Sequence, residues 1–307
     1  VNGLVGSEMC IRDSFKIEDI IDSSKIVTSI GGFDGIHLGH QALFNKAYKV
    51  SNGHFQIVTF NKIPKIYFNN SLKPILSQEQ RTHIFKDLKP KNIIYLDFKS
   101  VNNMNALDFC ELLKQNLKTE KLVIGKDFKF GNKRVGDVNT LIQYFGEDNV
   151  VLLDDYLINS EKVSTTKIRL FYAQGNIKDA EKYLGRKISY SGSVIKGKQL
   201  GSTIGVPTAN IILKQQTELP RFGVYAVNVI VNNQSYLGCL NVGINPTIDE
   251  GTDTKIEIHL LDFDQNIYNQ EVSFELIDFI RDEQKFNSIE SLKAQITRDI
   301  SEIKNNF

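Results

Sequence analysis

Between residues 25 and 184, short runs of apolar and β-branched side chains alternate with longer stretches in which apolar positions return every three to four residues. Runs of the first kind read as strands and stretches of the second as amphipathic helices. The pattern predicts strands at residues 26–30, 55–60, 92–96, 121–124 and 150–153. Helices are predicted between them, including 41–50, with Leu43, Ala47 and Val50 on one face, and 77–88, opened by Ser77 and Gln80 as a capping box. Such alternation implies a doubly wound α/β domain with a parallel sheet. Beyond Gly185 the texture becomes β-rich, with strands expected at 188–195, 224–231, 236–241, 255–261 and 272–279. Asn232-Asn233 supplies a hairpin turn, and only 288–303, with Leu292, Ile296 and Ile300 on one face, reads as helix. This half is expected to be a small antiparallel β-barrel with a terminal helix.

The expected division is 15–186 and 187–307, after a short helical stretch that begins near Ile177. Residues 1–14 open without Met, and 3–14 show neither strand nor helix period, so they are expected to be an adventitious extension without function.

Composition narrows the function. The 307 residues are 41% hydrophobic and 24% charged, which excludes disordered and fibrous classes. With 37 basic against 36 acidic side chains, no global field attracts a nucleic acid or an anionic membrane. No apolar run approaches the roughly 18 residues of a membrane span. Cys10, Cys110 and Cys239 lack zinc-type spacing and point to a reducing compartment. A cytoplasmic enzyme with small-molecule partners is expected.

Candidate chemistry begins where the first strand runs into Gly31-Gly32-Phe33-Asp34-Gly35-Ile36-His37-Leu38-Gly39-His40. Gly31, Gly32, Gly35 and Gly39 permit positive φ and close approach, and His37 and His40 can donate to phosphate oxygens beside a helix N-terminus. The loop 125–137 follows a later strand and combines cations with Asp127, Phe128 and Phe130, as an aromatic-lined anion pocket would. A third segment places Ser164, Thr165, Thr166, Lys167 and Arg169 at the start of a helix, where cations are disfavoured unless an anion is bound.

In pattern and order these segments resemble the adenylyltransferase module of bacterial bifunctional riboflavin kinase/FAD synthetases. The resemblance implies that His37, His40 and Arg169 stabilise ATP phosphate charge during catalysis. It further implies that Gly31, Phe33, Asp34, Gly39, Thr165 and Thr166 bind nucleotide, and that Asp127, Phe128 and Phe130 line a flavin pocket. Two positions depart from the family: Thr165 stands in place of Ser, and Ile63 in place of a His.

The second half carries Gly197, Gly201 and Gly205 in a loop that leads to Pro207-Thr208-Ala209-Asn210. Backbone amides of such a loop can cradle phosphates, and the oxygens of Thr208 and Asn210 are hard donors suited to Mg²⁺. These residues look like the riboflavin kinase signature. The resemblance implies nucleotide contacts from the three glycines, Mg²⁺ bound at Thr208 and Asn210, and Glu257 as the base for the ribityl hydroxyl. His259 is read as structural. Arg281 and Phe286 match the segment that closes over the flavin. Lys196 replaces a His and Ser202 an Arg. The implied function is phosphorylation of riboflavin to FMN and adenylylation of FMN to FAD, with ATP and Mg²⁺. Retention of only one activity, and a non-catalytic flavin or nucleotide sensor, are the alternatives.

Overall fold

The computed structural model describes residues 10–15 as backbone and 25–197, 201, 205–244 and 254–307 in full. The chain divides by packing into two units, Val1–Thr165 and Thr166–Phe307. This division falls earlier than the 186/187 boundary suggested by the change of periodicity. The helices between the two positions pack on the second unit: the Arg221 amide donates to the Tyr172 carbonyl at 2.8 Å, and Gly175 abuts the Phe279 ring.

In the first unit β1 (Cys10–Phe15), β2 (Ile26–Ile30), β3 (Phe55–Phe60), β4 (Asn92–Leu96), β5 (Thr119–Gly125) and β6 (Val150–Leu153) form one parallel sheet, ordered β1-β4-β3-β2-β5-β6. The strand β1 corrects the expectation of no element before residue 15. Edge pairing is made by backbone groups and needs no alternating side-chain pattern. All six residues of β3 are buried, as expected of a strand covered on both faces. One core cluster gathers Phe33, Phe44, Phe55 and Phe85, the other Phe60, Phe109, Phe130 and Phe145.

The helices of this unit are α1 (Leu38–Val50), α2 (Pro64–Phe68), α3 (Gln78–Asp87), α4 (Phe98–Val101), α5 (Ala106–Glu111) and α6 (Val138–Phe145). The Ser77/Gln80 capping box forms as predicted. A small antiparallel pair, β7 (Leu157–Ile158) and β8 (Glu161–Lys162), precedes α7 (Thr165–Gln174). A buried polar ladder crosses four neighbouring strands. Asn92 Nδ2 donates to Gln56 Oε1 (3.2 Å), Gln56 Nε2 to Thr28 Oγ1 (2.9 Å), and the Thr28 and Thr119 hydroxyls meet at 2.8 Å.

The second unit continues with α8 (Ile177–Leu184), stopped by Gly185 at φ +70°. Then β9 (Ser189–Ile195), β10 (Ala209–Leu213), β11 (Gly223–Val231), β12 (Gln234–Ile244), β13 (Thr254–Leu260) and β14 (Glu271–Arg281) close into an antiparallel barrel ordered β10-β13-β12-β11-β14-β9. Burial alternates along β9, the signature of one face in the barrel and one in water. Asn232 and Asn233 take positive φ in the hairpin between β11 and β12. The terminal helix is Ile289–Asn306, capped by Ser288. β10 was not expected, because Pro207 and the preceding glycines read as a loop.

Candidate active sites

The sheet order reverses at β2: β3 and β4 lie on one side of it, β5 and β6 on the other. Ligands of open α/β sheets bind beyond the carboxyl ends of the strands at such a reversal. The turn after β2 and the loop after β5 flank that crevice.

His37 is the N-cap of α1, in extended geometry, and its Nδ1 accepts from the His40 amide at 3.4 Å. An Nδ1 used as acceptor leaves the proton of the neutral ring on Nε2, which is then a donor. The two imidazoles stack with centroids 3.6 Å apart, and the edge of Phe33 supports His40 at 5.2 Å. Gly39 is required here, since a Cβ would stand 3.2 Å from the His37 ring. Phe33 is buried under the turn, so its role is support. The Asp34 carboxylate accepts from the Ile75 amide (2.8 Å) and its carbonyl from Thr165 Oγ1 (3.1 Å), which ties the start of α7 to the turn. Gly31 leaves room for the Phe33 ring. Ile63, the departure from the family, is buried beside Gly32.

The other expected residues are placed as follows. Asp127 is exposed and paired with Lys162 at 2.9 Å, which holds its carboxyl below the ordinary range. Phe130 is a core residue stacked between Phe109 and Phe128, and Phe128, half-buried, forms the outer member. Thr166 is exposed. Arg169 belongs to the second unit, where its Nη1 meets Glu218 at 2.6 Å. Any anion bound by Arg169 competes with that carboxylate.

In the barrel, Asn210 stands opposite Glu257 across β10 and β13, and Glu257 stands opposite Asn241 across β13 and β12. Directly paired residues share a face, so the three form one row. Asn241 was missed by the sequence reading, because its Asn-Val-Gly context carries no chemistry until the register is known. Lys255 Nζ lies 2.8 Å from Glu257 Oε1. His259 holds the Pro207 carbonyl at 2.7 Å, in keeping with a structural reading. A Cβ at Gly197 would overlap the Asn210 carboxamide, and one at Gly201 would approach Thr208 Oγ1 at 3.2 Å. Gly205 is exposed at φ +81°. Ser202 lies outside the described residues. A cavity of about 260 Å³ opens beside Thr208, lined also by Val194, Pro207, Leu260 and Tyr268.

Arg281 grips the buried Asp299 of the terminal helix through Nε and Nη2, at 2.8–3.0 Å. Its guanidinium serves the barrel–helix contact, and it lies 5.9 Å over the half-buried Phe286 ring.

Residues 19–167 match the FAD synthetase family and residues 184–307 the riboflavin kinase family. A bifunctional riboflavin kinase/FMN adenylyltransferase of Buchnera aphidicola (Acyrthosiphon pisum) is 35% identical over 97% of both chains. Those of Listeria monocytogenes and Escherichia coli K12 are each 32% identical over 89% of this chain and 90% of theirs. A solved structure described as a macrolide-efflux protein from Streptococcus pneumoniae superposes with a TM-score of 0.86 at 33% identity, covering 96% of this chain and 98% of that one. Among the described residues no helix is long and apolar enough to cross a membrane.

Proposed function

The chain belongs to the bifunctional riboflavin kinase/FMN adenylyltransferase family, and from that premise we propose how its residues divide the two reactions. The first unit makes FAD. An FMN phosphate oxygen attacks the α-phosphorus of ATP, the new P–O bond forms, and pyrophosphate departs with the electrons of the broken one. The nucleophile is already anionic, so charge stabilisation is the main need. His37 donates from Nε2, and His40, stacked on it, acts beside it at the N-terminus of α1. The observation that carries this reading is the His37 Nδ1–His40 amide contact at the N-terminus of α1, which assigns Nδ1 as acceptor and Nε2 as the donor. Thr165 and Asp34 hold the turn.

The barrel makes FMN. Glu257 accepts the proton of the ribityl 5′-hydroxyl as its oxygen attacks the γ-phosphorus and ADP leaves. Thr208 and Asn210, with Asn241 in the same row, are oxygen donors that fit Mg²⁺. The small Gly197 and Gly201 leave space against Asn210 and Thr208 that a Cβ would fill. Among the described residues no cluster of His, Cys, Asp and Glu suits a metal by itself, so the ion is shared with nucleotide phosphates. When bound, Mg²⁺ neutralises phosphate charge. The cavity beside Thr208 is assigned to the nucleotide. Incubation with riboflavin, ATP and Mg²⁺, followed by separation of flavins, is expected to yield FMN and then FAD; absence of both overturns the reading.

A further inference from the structure

Arg81 lies on α3, outside every motif named above, yet it is 2% exposed and among the largest fully buried side chains. Its Nη1 donates to the Gly32 carbonyl (3.3 Å) and Thr59 Oγ1 (3.2 Å), and its Nη2 to the Phe60 carbonyl (3.1 Å). These acceptors are uncharged. Nε is buried with no hydrogen-bond partner among the described residues. Two groups act on its charge, Tyr95 first and then Asp34, whose carboxylate accepts from the Ile75 amide. Burial pushes the guanidinium pKa down from its ordinary value.

A cation withdrawn from water onto uncharged hydrogen-bond acceptors costs several kcal/mol, and an apolar side chain of similar volume would fill the space without that cost. The location of its partners supplies a reason for the charge. Gly32 belongs to the turn after β2, while Thr59 and Phe60 close the adjacent β3; Thr59 Oγ1 also reaches the Gly32 carbonyl at 3.4 Å. The guanidinium bolts together two strand ends that border the crevice. A Gly32 carbonyl held from inside the protein is directed away from the crevice, where it would repel phosphate oxygens.

We propose that Arg81 is a positioning residue for adenylyl transfer, fixing the Gly31–Gly32 turn and placing a buried positive charge beneath the ATP phosphates. This rests on the assignment of the turn as the ATP site. The test uses the full chain with Arg81→Met and Arg81→Lys. FAD formation from FMN, FMN formation from riboflavin, and the shift of the unfolding midpoint by inorganic tripolyphosphate are measured. In Arg81→Met, kcat/KM for ATP in FAD formation is expected to fall about 100-fold, mostly through KM, as when a reacting group is misplaced by about 1 Å. FMN formation is unchanged, and the tripolyphosphate shift attributable to the first unit is lost. Arg81→Lys, which keeps the charge, recovers about tenfold of the loss and much of the shift.

An Arg81→Met enzyme within twofold of the parent overturns the proposal, as do equal losses in both variants with the tripolyphosphate shift intact. If Arg81→Met unfolds, Arg81→Lys decides: retention of the shift supports the proposal and its absence sinks it. A parent protein that makes no FAD yet shows an Arg81-dependent shift overturns the adenylylation reading and leaves the anion role of Arg81 standing.

Discussion

The turn after β2 is shaped by backbone: Phe33, Gly35 and Ile36 take φ of +46°, +76° and +40° within four residues. The row proposed for the kinase reaction is shaped by register, with Asn210, Glu257 and Asn241 side by side on extended strands. A β-branched residue at positive φ is strained by roughly 1–3 kcal/mol and persists only where its surroundings enforce it. The first region therefore depends on every link of one short segment. The second depends on strand pairing distributed over the barrel, and it tolerates local change provided that the row itself is kept.

The two regions should fail separately, and the sharpest break comes from the barrel. Glu257→Gln retains shape but removes the base, and is expected to lower FMN formation about 10²–10⁴-fold. Its FAD formation from supplied FMN should equal the parent's when the two reactions are assayed side by side. His40→Ala does the reverse, with FAD formation down roughly 10²–10³-fold and FMN formation retained. Parallel loss of both activities in either variant would contradict the division.

Smaller substitutions probe how each region is held. Gly35→Ala introduces a Cβ at positive φ, 3.2 Å from Ile75, and is expected to destabilise the first unit by about 1–2 kcal/mol. Denaturant unfolding, with FAD formation measured alongside, checks it. His259→Ala removes the hold on the Pro207 carbonyl, at about 0.5–1.5 kcal/mol, and should raise the kinase KM for ATP several-fold without touching FAD formation. Steady-state kinetics in the two assays would show whether that loss is confined to the barrel.

Legibility followed the same contrast. Strands such as β2, β3 and β4 were readable because short runs rich in apolar and β-branched side chains accompany burial along the whole strand. The glycine-spaced turn was readable because positive φ leaves its mark in residue type. By contrast β1 and β10 were not, since edge pairing and a strand behind a proline leave little apolar periodicity. Asn241 became visible only through its cross-strand partner, and Arg81 only through its burial. Phe130 and Arg281 show the converse: side chains whose type suits a flavin are also engaged in the core and with Asp299. Composition cannot distinguish a guanidinium that meets a ligand from one that clasps a helix.

The ladder of Asn92, Gln56, Thr28 and Thr119 runs across the sheet through the strand at which its order reverses. A one-residue slip of β2 would orphan buried amide and hydroxyl groups, each at about 1–3 kcal/mol. These residues touch no substrate, but they dictate which alignment the chain can adopt as it folds, and so fix how far the histidine turn extends past the loop after β5. Their evolution should be concerted: replacement of Thr28 alone removes the partner of the buried Thr119 hydroxyl and one of the acceptors of Gln56, whereas joint replacement of all the rungs by apolar residues would relieve that penalty and surrender the alignment they enforce.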